Sequence, residues 1–357
     1  MNSEPKHTKP IFLLPLIAVS LLIGIWTGWI RIGWNFPFTQ NSGDHGALMV
    51  GGFIGTLICL ERTSNLKNKI ALLIPFINAL SVIFFLIKMP NIAFWFLLTG
   101  SVGLTLIYLK LYFEFSEIYI LLMTAGAFCY LIGNTLLIKT NFYPQAAMWW
   151  IAFLYFTILG ERLELSRYLQ IKTIHKTILI ILLAVYIAGI LIPFHSSGGY
   201  VTAVSLIGSA LWLFKYDMAK KSLQRDGQHF YSGVVLLTGY FWLIITGLFM
   251  AYGSYSGLLY DAVIHSFFLG FVFSMIFAHA PIILPGVLKL QISIFNRSLY
   301  FWFVLLQVSL VIRILGSVLP STDLKMIGGI TNGMAILGFL LNIAILTIIG
   351  KKRNTLK

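Results

Sequence analysis

The chain has 357 residues, of which 59% are hydrophobic and 10% charged, with a mean hydropathy of +0.90. A soluble domain has no interior large enough to hide that much apolar surface, whereas a bilayer does, so a soluble enzyme or binding module is excluded. The formal charge of +14 does not point to nucleic acid, because the Lys and Arg residues fall between apolar runs and not on one basic face.

Twelve membrane spans are predicted, at 10–33, 45–61, 69–88, 91–111, 117–138, 145–165, 177–194, 199–216, 230–252, 257–284, 298–318 and 327–349. All are expected as helices, since backbone groups in lipid must be satisfied within their own segment. The first is too long for a signal peptide and lacks a small-residue cleavage site; it carries Arg31 at its far end. The second opens at Asp44–His45, holds Gly46, Gly51, Gly52, Gly55 and Cys59, and ends GTLICLER with Glu61 and Arg62. The third to fifth are plain apolar runs, with Cys129 in the fifth; both cysteines read as buried small hydrophobes. The sixth ends TILGERLEL, with Glu161, Arg162 and Glu164 at the depth of Glu61 and Arg62. The tenth carries Asp261, His265, Gly270 and His279, then Pro281 and Pro285, where a helix end or kink is expected. The eleventh holds Arg313 in its outer part.

Connections are short, so residues 1–357 are expected to form one polytopic domain. Only Arg31, Lys88, Lys139, Arg313 and Lys325 of the 25 Lys and Arg residues fall on one side of this topology. The positive-inside rule therefore puts both termini in the cytoplasm. The polar ends of spans 2, 6 and 10 recur every fourth span, which suggests three pseudo-repeats of four helices.

The rare polar residues form two layers. In the outer layer, His45 and His265 lie at similar depth on two helices and are candidates to coordinate one haem iron. The glycines at 46, 51, 52, 55 and 270 would let a flat macrocycle approach, Asp44 and Asp261 would orient the imidazoles, and Arg31 and Arg313 would pair with haem propionates. The bland alternative makes His45 an interfacial helix cap and His265 an interior hydrogen-bonder. The inner layer comprises Glu61, Arg62, Glu161, Arg162, Glu164 and His279. Glu61, Glu161, Glu164 and His279 are a candidate second metal site; alternatively, Glu–Arg pairs there lock neighbouring helices. On α-helical geometry, His265 and His279 share a face about 21 Å apart, and so do His45 and Cys59. No P-loop, nucleophile elbow, HExxH or CxxCH motif occurs.

Twelve spans with a histidine opening the second and another in the outer half of the tenth resemble subunit I of the heme-copper oxidases. HGALMVGGFIGTLICLER is similar to the haem-ligand helix of that superfamily, and HSFFLGFVFSMIFAH to the histidine helix of the NnrS-like proteins linked to nitric oxide stress. GERLELSR and AHAPIILP look like strings of bacterial membrane proteins of this type. The resemblance implies that His45 and His265 ligate a b-type haem, with Arg313 a propionate partner, in a multi-pass protein of the bacterial inner membrane. Span 6 and span 7 lack the histidines that hold copper in an oxidase, so oxygen reduction is not expected. The expected role is electron transfer or a response to nitric oxide or another gas, with a redox partner. The competing readings are a proton-coupled secondary transporter and a structural subunit of a membrane complex.

Overall fold

The computed structural model describes residues 10–36, 42–64, 66, 68–192, 197–253, 257–287, 292 and 294–355. Every element among them is helical: α1 (Leu14–Arg31), α2 (Thr56–Ser64), α3 (Leu73–Leu86), α4 (Pro90–Phe115), α5 (Ile118–Thr140), α6 (Tyr143–Leu165), α7 (Thr173–Leu191), α8 (Gly199–Tyr216), the single turn α9 (Ala219–Ser222), α10 (Gln228–Gly253), α11 (Gly257–His265), α12 (Phe273–Val287), α13 (Ser298–Val318) and α14 (Thr322–Thr355). Two long stretches are wound as π-helix, Ala47–Gly55 leading into α2 and Ser266–Val272 joining α11 to α12.

Local sequence sets the boundaries. Pro90 and Pro144 occupy the first turns of α4 and α6, where a missing N–H leaves nothing unsatisfied. Helices α4 and α5 stop at Ser116 and Asn141, both left-handed at φ 51°, a usual way for a helix to end. Pro281 and Pro285, where a helix end or kink is expected, lie inside α12, which runs on to Val287.

Among the described residues, ten helical segments are long and apolar enough to cross a membrane. Large apolar side chains such as Trp95, Leu106, Phe241, Val304 and Leu341 point outward and exposed, while Ser, Thr, Asn and Arg side chains are buried. That inverted polarity suits a lipid solvent. Neighbours in sequence pack on one another, α3 through α6 in order, α7 on α8, α8 on α10, and α13 on α14. Helix α1 packs on Ala47–Gly55 and on α14, so the first and last helices meet.

Three segments form the interior. Over an 18-residue apolar stretch of each, 67% is buried in Ala47–Ser64 and in Leu259–Ile283, against 22% in Thr173–Leu191. Helix α6 is buried continuously from Trp150 to Gly160, on every face, as in a helix surrounded by others. Phe53 and Phe273 stack across the first two of these segments with centroids 6.3 Å apart.

Candidate functional site

His45 and His265 line one cavity of about 500 Å³. His265 immediately precedes one π-helical stretch, and His45 stands two residues before the other. π-Helical turns are rare and concentrate at functional sites.

His45 is seated on α1. Its Nδ1 lies 2.7 Å from the Gly24 carbonyl oxygen, so Nδ1 carries the proton and donates it. The ring lies against Gly28, where a Cβ would come within 2.8 Å of His45 Cε1. At Gly24 a Cβ would meet Met49 Sδ at 2.5 Å. The two glycines, four residues apart, thus form a small-residue face that admits an imidazole and a thioether together.

His265 is anchored on its own helix. Its Nδ1 lies 2.9 Å from the Asp261 carbonyl oxygen and 3.1 Å from Asp261 Oδ1. Arg313 holds that carboxylate from α13, with Nη2 2.9 Å from Oδ1 and Nε 3.2 Å from Oδ2, and Ser317 donates to Oδ2 at 3.2 Å. In both rings Nδ1 donates, and Nε2 has no hydrogen-bond partner among the described residues.

The cavity wall is mostly apolar, with Met49, Val50, Ile54, Trp150, Phe268 and Phe273. Arg31, Arg313 and Lys325 also line it. Arg313 is spent on Asp261; Arg31 is exposed and Lys325 half-buried. Lys325 was not among the residues singled out from sequence. The donor set fits a haem: two imidazoles with anchored Nδ1 atoms, apolar walls, and cations to meet carboxylates. The volume lies within the range of small-molecule and cofactor pockets.

Several expectations are corrected. Asp44 does not orient His45; its carboxylate accepts from the Tyr143 hydroxyl at 2.7 Å, and the imidazole uses a backbone carbonyl instead. Of the five glycines expected to face a macrocycle, only Gly46 lines the cavity. Gly51 admits Leu97, Gly52 admits Ser20, Gly55 admits Tyr130 and Gly270 admits Trp242, so these four serve helix packing. Arg313 reaches Asp261 as an ion pair, not a free propionate partner. The α-helical rotation that put His265 and His279 on one face does not carry through Ser266–Val272, and the same holds for His45 and Cys59 across Ala47–Gly55. Cys59 is fully buried and lies outside the cavity.

The inner layer is divided between two ion pairs. Arg62 Nη2 meets Glu161 Oε1 at 2.5 Å, joining α2 to α6. Arg162 binds Asp217 by two hydrogen bonds of 2.6 and 2.9 Å, and its Nη1 lies 3.0 Å from His279 Nε2. His279 Nδ1 donates to the Met275 carbonyl at 2.8 Å, so both ring nitrogens are engaged. Tyr240 donates to Asp217 at 2.8 Å. His279 is thereby taken away from Glu61, Glu161 and Glu164. Among the described residues, no group of three or more His, Cys, Asp or Glu side chains is placed to share a metal ion. Asp217, the buried anion of this layer, lies in a short connection and carried no sequence signal.

A family described as Domain of unknown function (DUF8744) matches residues 10–348, and the chain belongs to that family. No curated protein matches the chain.

Proposed function

We propose that this chain is a twelve-span protein of the bacterial inner membrane, with both termini cytoplasmic, that holds one b-type haem between His45 and His265. One observation carries the reading: imidazoles from two interior segments line one cavity, each with Nδ1 anchored and with Nε2 unpartnered among the described residues. Two features support the twelve-span topology and a kinship with the heme-copper oxidase and NnrS-like proteins. Helices α6 and α8, of 23 and 18 residues, join the ten most apolar segments. The interior segments are then the second, sixth and tenth, and the histidines open or lie in the second and tenth.

When bound, the haem supplies a one-electron redox centre. This chain's residues do the rest. The Gly24 carbonyl and the Asp261 pair fix the tautomer and direction of each ring and raise its basicity as a ligand. Met49, Trp150, Phe268 and Phe273 exclude water from the ring faces. Arg31 and Lys325 meet the propionates, because Arg313 is neutralised by Asp261. With His45 and His265 to hold it, the haem would serve electron transfer, including reductive defence against nitric oxide with a redox partner.

The test is an optical spectrum of the protein purified from haem-replete cells. A Soret band with low-spin features, lost or converted to high spin in His45→Ala and in His265→Ala, is expected. A wild-type protein without a Soret band would refute the proposal.

A further inference from the structure

A π-helix bonds each N–H to the carbonyl five residues back, with poorer geometry than the four-residue α-helical bond, and it seldom extends beyond one turn. Ala47–Gly55 is nine residues long. Something outside the segment must favour that winding, and in an apolar interior no water is present to satisfy a carbonyl it loosens.

Two side chains from other helices do this. Ser20 Oγ on α1 donates to the Leu48 carbonyl at 2.9 Å. Asn78 Nδ2 on α3 donates to the Gly51 carbonyl at 2.8 Å and to Thr56 Oγ1 at 2.7 Å. The Tyr130 hydroxyl on α5 donates to Asn78 Oδ1 at 3.3 Å. Ser20, Thr56 and Asn78 are each fully buried. The surroundings are cut to fit: a Cβ at Gly100 on α4 would lie 2.7 Å from Asn78 Cβ and Cγ, and one at Gly55 would lie 2.7 Å from Tyr130 Oη.

His45 stands two residues before the segment, so the winding of 47–55 sets its rotation relative to α2 and the cavity. Rewinding the segment as an α-helix would turn His45 away from the Gly24 carbonyl while leaving α2 in place. We propose that Asn78, assisted by Ser20, is the positioning residue for His45: it locks the π-helical winding that aims the imidazole into the cavity. The consequence for haem rests on the function proposed above; the consequence for the winding does not.

The test uses Asn78→Leu, close in volume but without donor or acceptor, with Thr105→Val on α4 as a control buried away from the π-helical segment. Hydrogen–deuterium exchange of the detergent-purified protein reads the winding. Carbethoxylation of His45 by diethyl pyrocarbonate, followed by mass spectrometry, reads the ring. Expected for Asn78→Leu are amide exchange at least tenfold faster over 50–58, faster modification of His45, and altered low-spin g-values in the haem-loaded protein. Wild-type exchange over 50–58 would overturn the proposal. Faster exchange with unchanged His45 modification and unchanged g-values would also overturn it, leaving Asn78 a packing residue only. If wild-type protein takes up no haem, the haem reading fails by itself, and exchange together with His45 modification still decides this proposal. Should Asn78→Leu fail to fold, Ser20→Ala removes a single oxygen and carries the same test, with a smaller acceleration expected.

Discussion

Gly28→Ala adds one carbon against the His45 ring. The new Cβ would lie 2.8 Å from Cε1 and 3.0 Å from Nδ1. Carbon atoms rest at about 3.5–4.0 Å, so the ring or α1 must move by about 1 Å. The His45 Nδ1 to Gly24 bond, 2.7 Å long, then approaches the limit beyond which it no longer counts as a hydrogen bond. Overpacking of this kind costs about 1–3 kcal/mol. If that cost falls on the bound state, haem affinity drops about 5- to 150-fold, at tenfold per 1.4 kcal/mol. The assay is a haem titration of apoprotein followed at the Soret maximum. Gly46→Ala is the matched comparison, because it also lines the cavity but its Cβ would meet Trp150 at 3.4 Å, an ordinary contact. It should bind within about threefold of wild type, since such a contact carries little strain. If Gly28→Ala and Gly46→Ala both titrate like wild type with the same maximum, haem does not depend on how His45 sits on Gly28, and the ligand assignment is wrong.

The other predictions concern the charges. Asp217→Asn leaves Arg162, whose side chain is 4% exposed, without its counter-ion, and should cost about 3–5 kcal/mol, read as a lower Tm in detergent. Glu161→Gln breaks a pair whose side chains are 17% and 33% exposed and should cost at most about 1 kcal/mol, because solvent and headgroups screen it. Equal losses of Tm for the two would contradict the division of the inner layer into a buried lock and a peripheral one. Asp261→Asn removes the charge that Arg313 and the His265 ring share, and haem affinity should fall about 10- to 100-fold. Arg31→Gln and Lys325→Gln should each weaken haem binding several-fold and flatten its dependence on ionic strength, measured by titration at low and high salt. Unchanged affinity in both would remove the propionates from that rim.

The long apolar helices were legible because they rest on composition, which an apolar solvent dictates directly. So were His45 and His265, since an imidazole inside an apolar run stands out without any alignment. What holds them was not. The π-helical winding of Ala47–Gly55 and Ser266–Val272 carries no local signal; the side chains that meet these segments, Ser20 and Asn78 at the first and Trp242 at Gly270 of the second, lie far along the chain. A local sequence reading assumes α-helical rotation and so put His279 below His265 on one face. Asp44 was assigned to His45 through adjacency, but a helix sends neighbouring side chains in different directions, and Asp44 turned to Tyr143. Asp217 looked like a solvated loop residue; tertiary packing buries it beneath α6 and α10, where Arg162 and Tyr240 reach it.

The central claim is that one haem sits between two histidines of this chain. The most direct measurement is low-temperature electron paramagnetic resonance of the oxidised purified protein, alongside a haem-to-protein ratio from the pyridine haemochrome. One b-type haem per chain with a low-spin bis-imidazole signal is expected, and loss of that signal in both His45→Ala and His265→Ala. A haem-free wild-type protein, or a low-spin signal that survives either substitution, would contradict it.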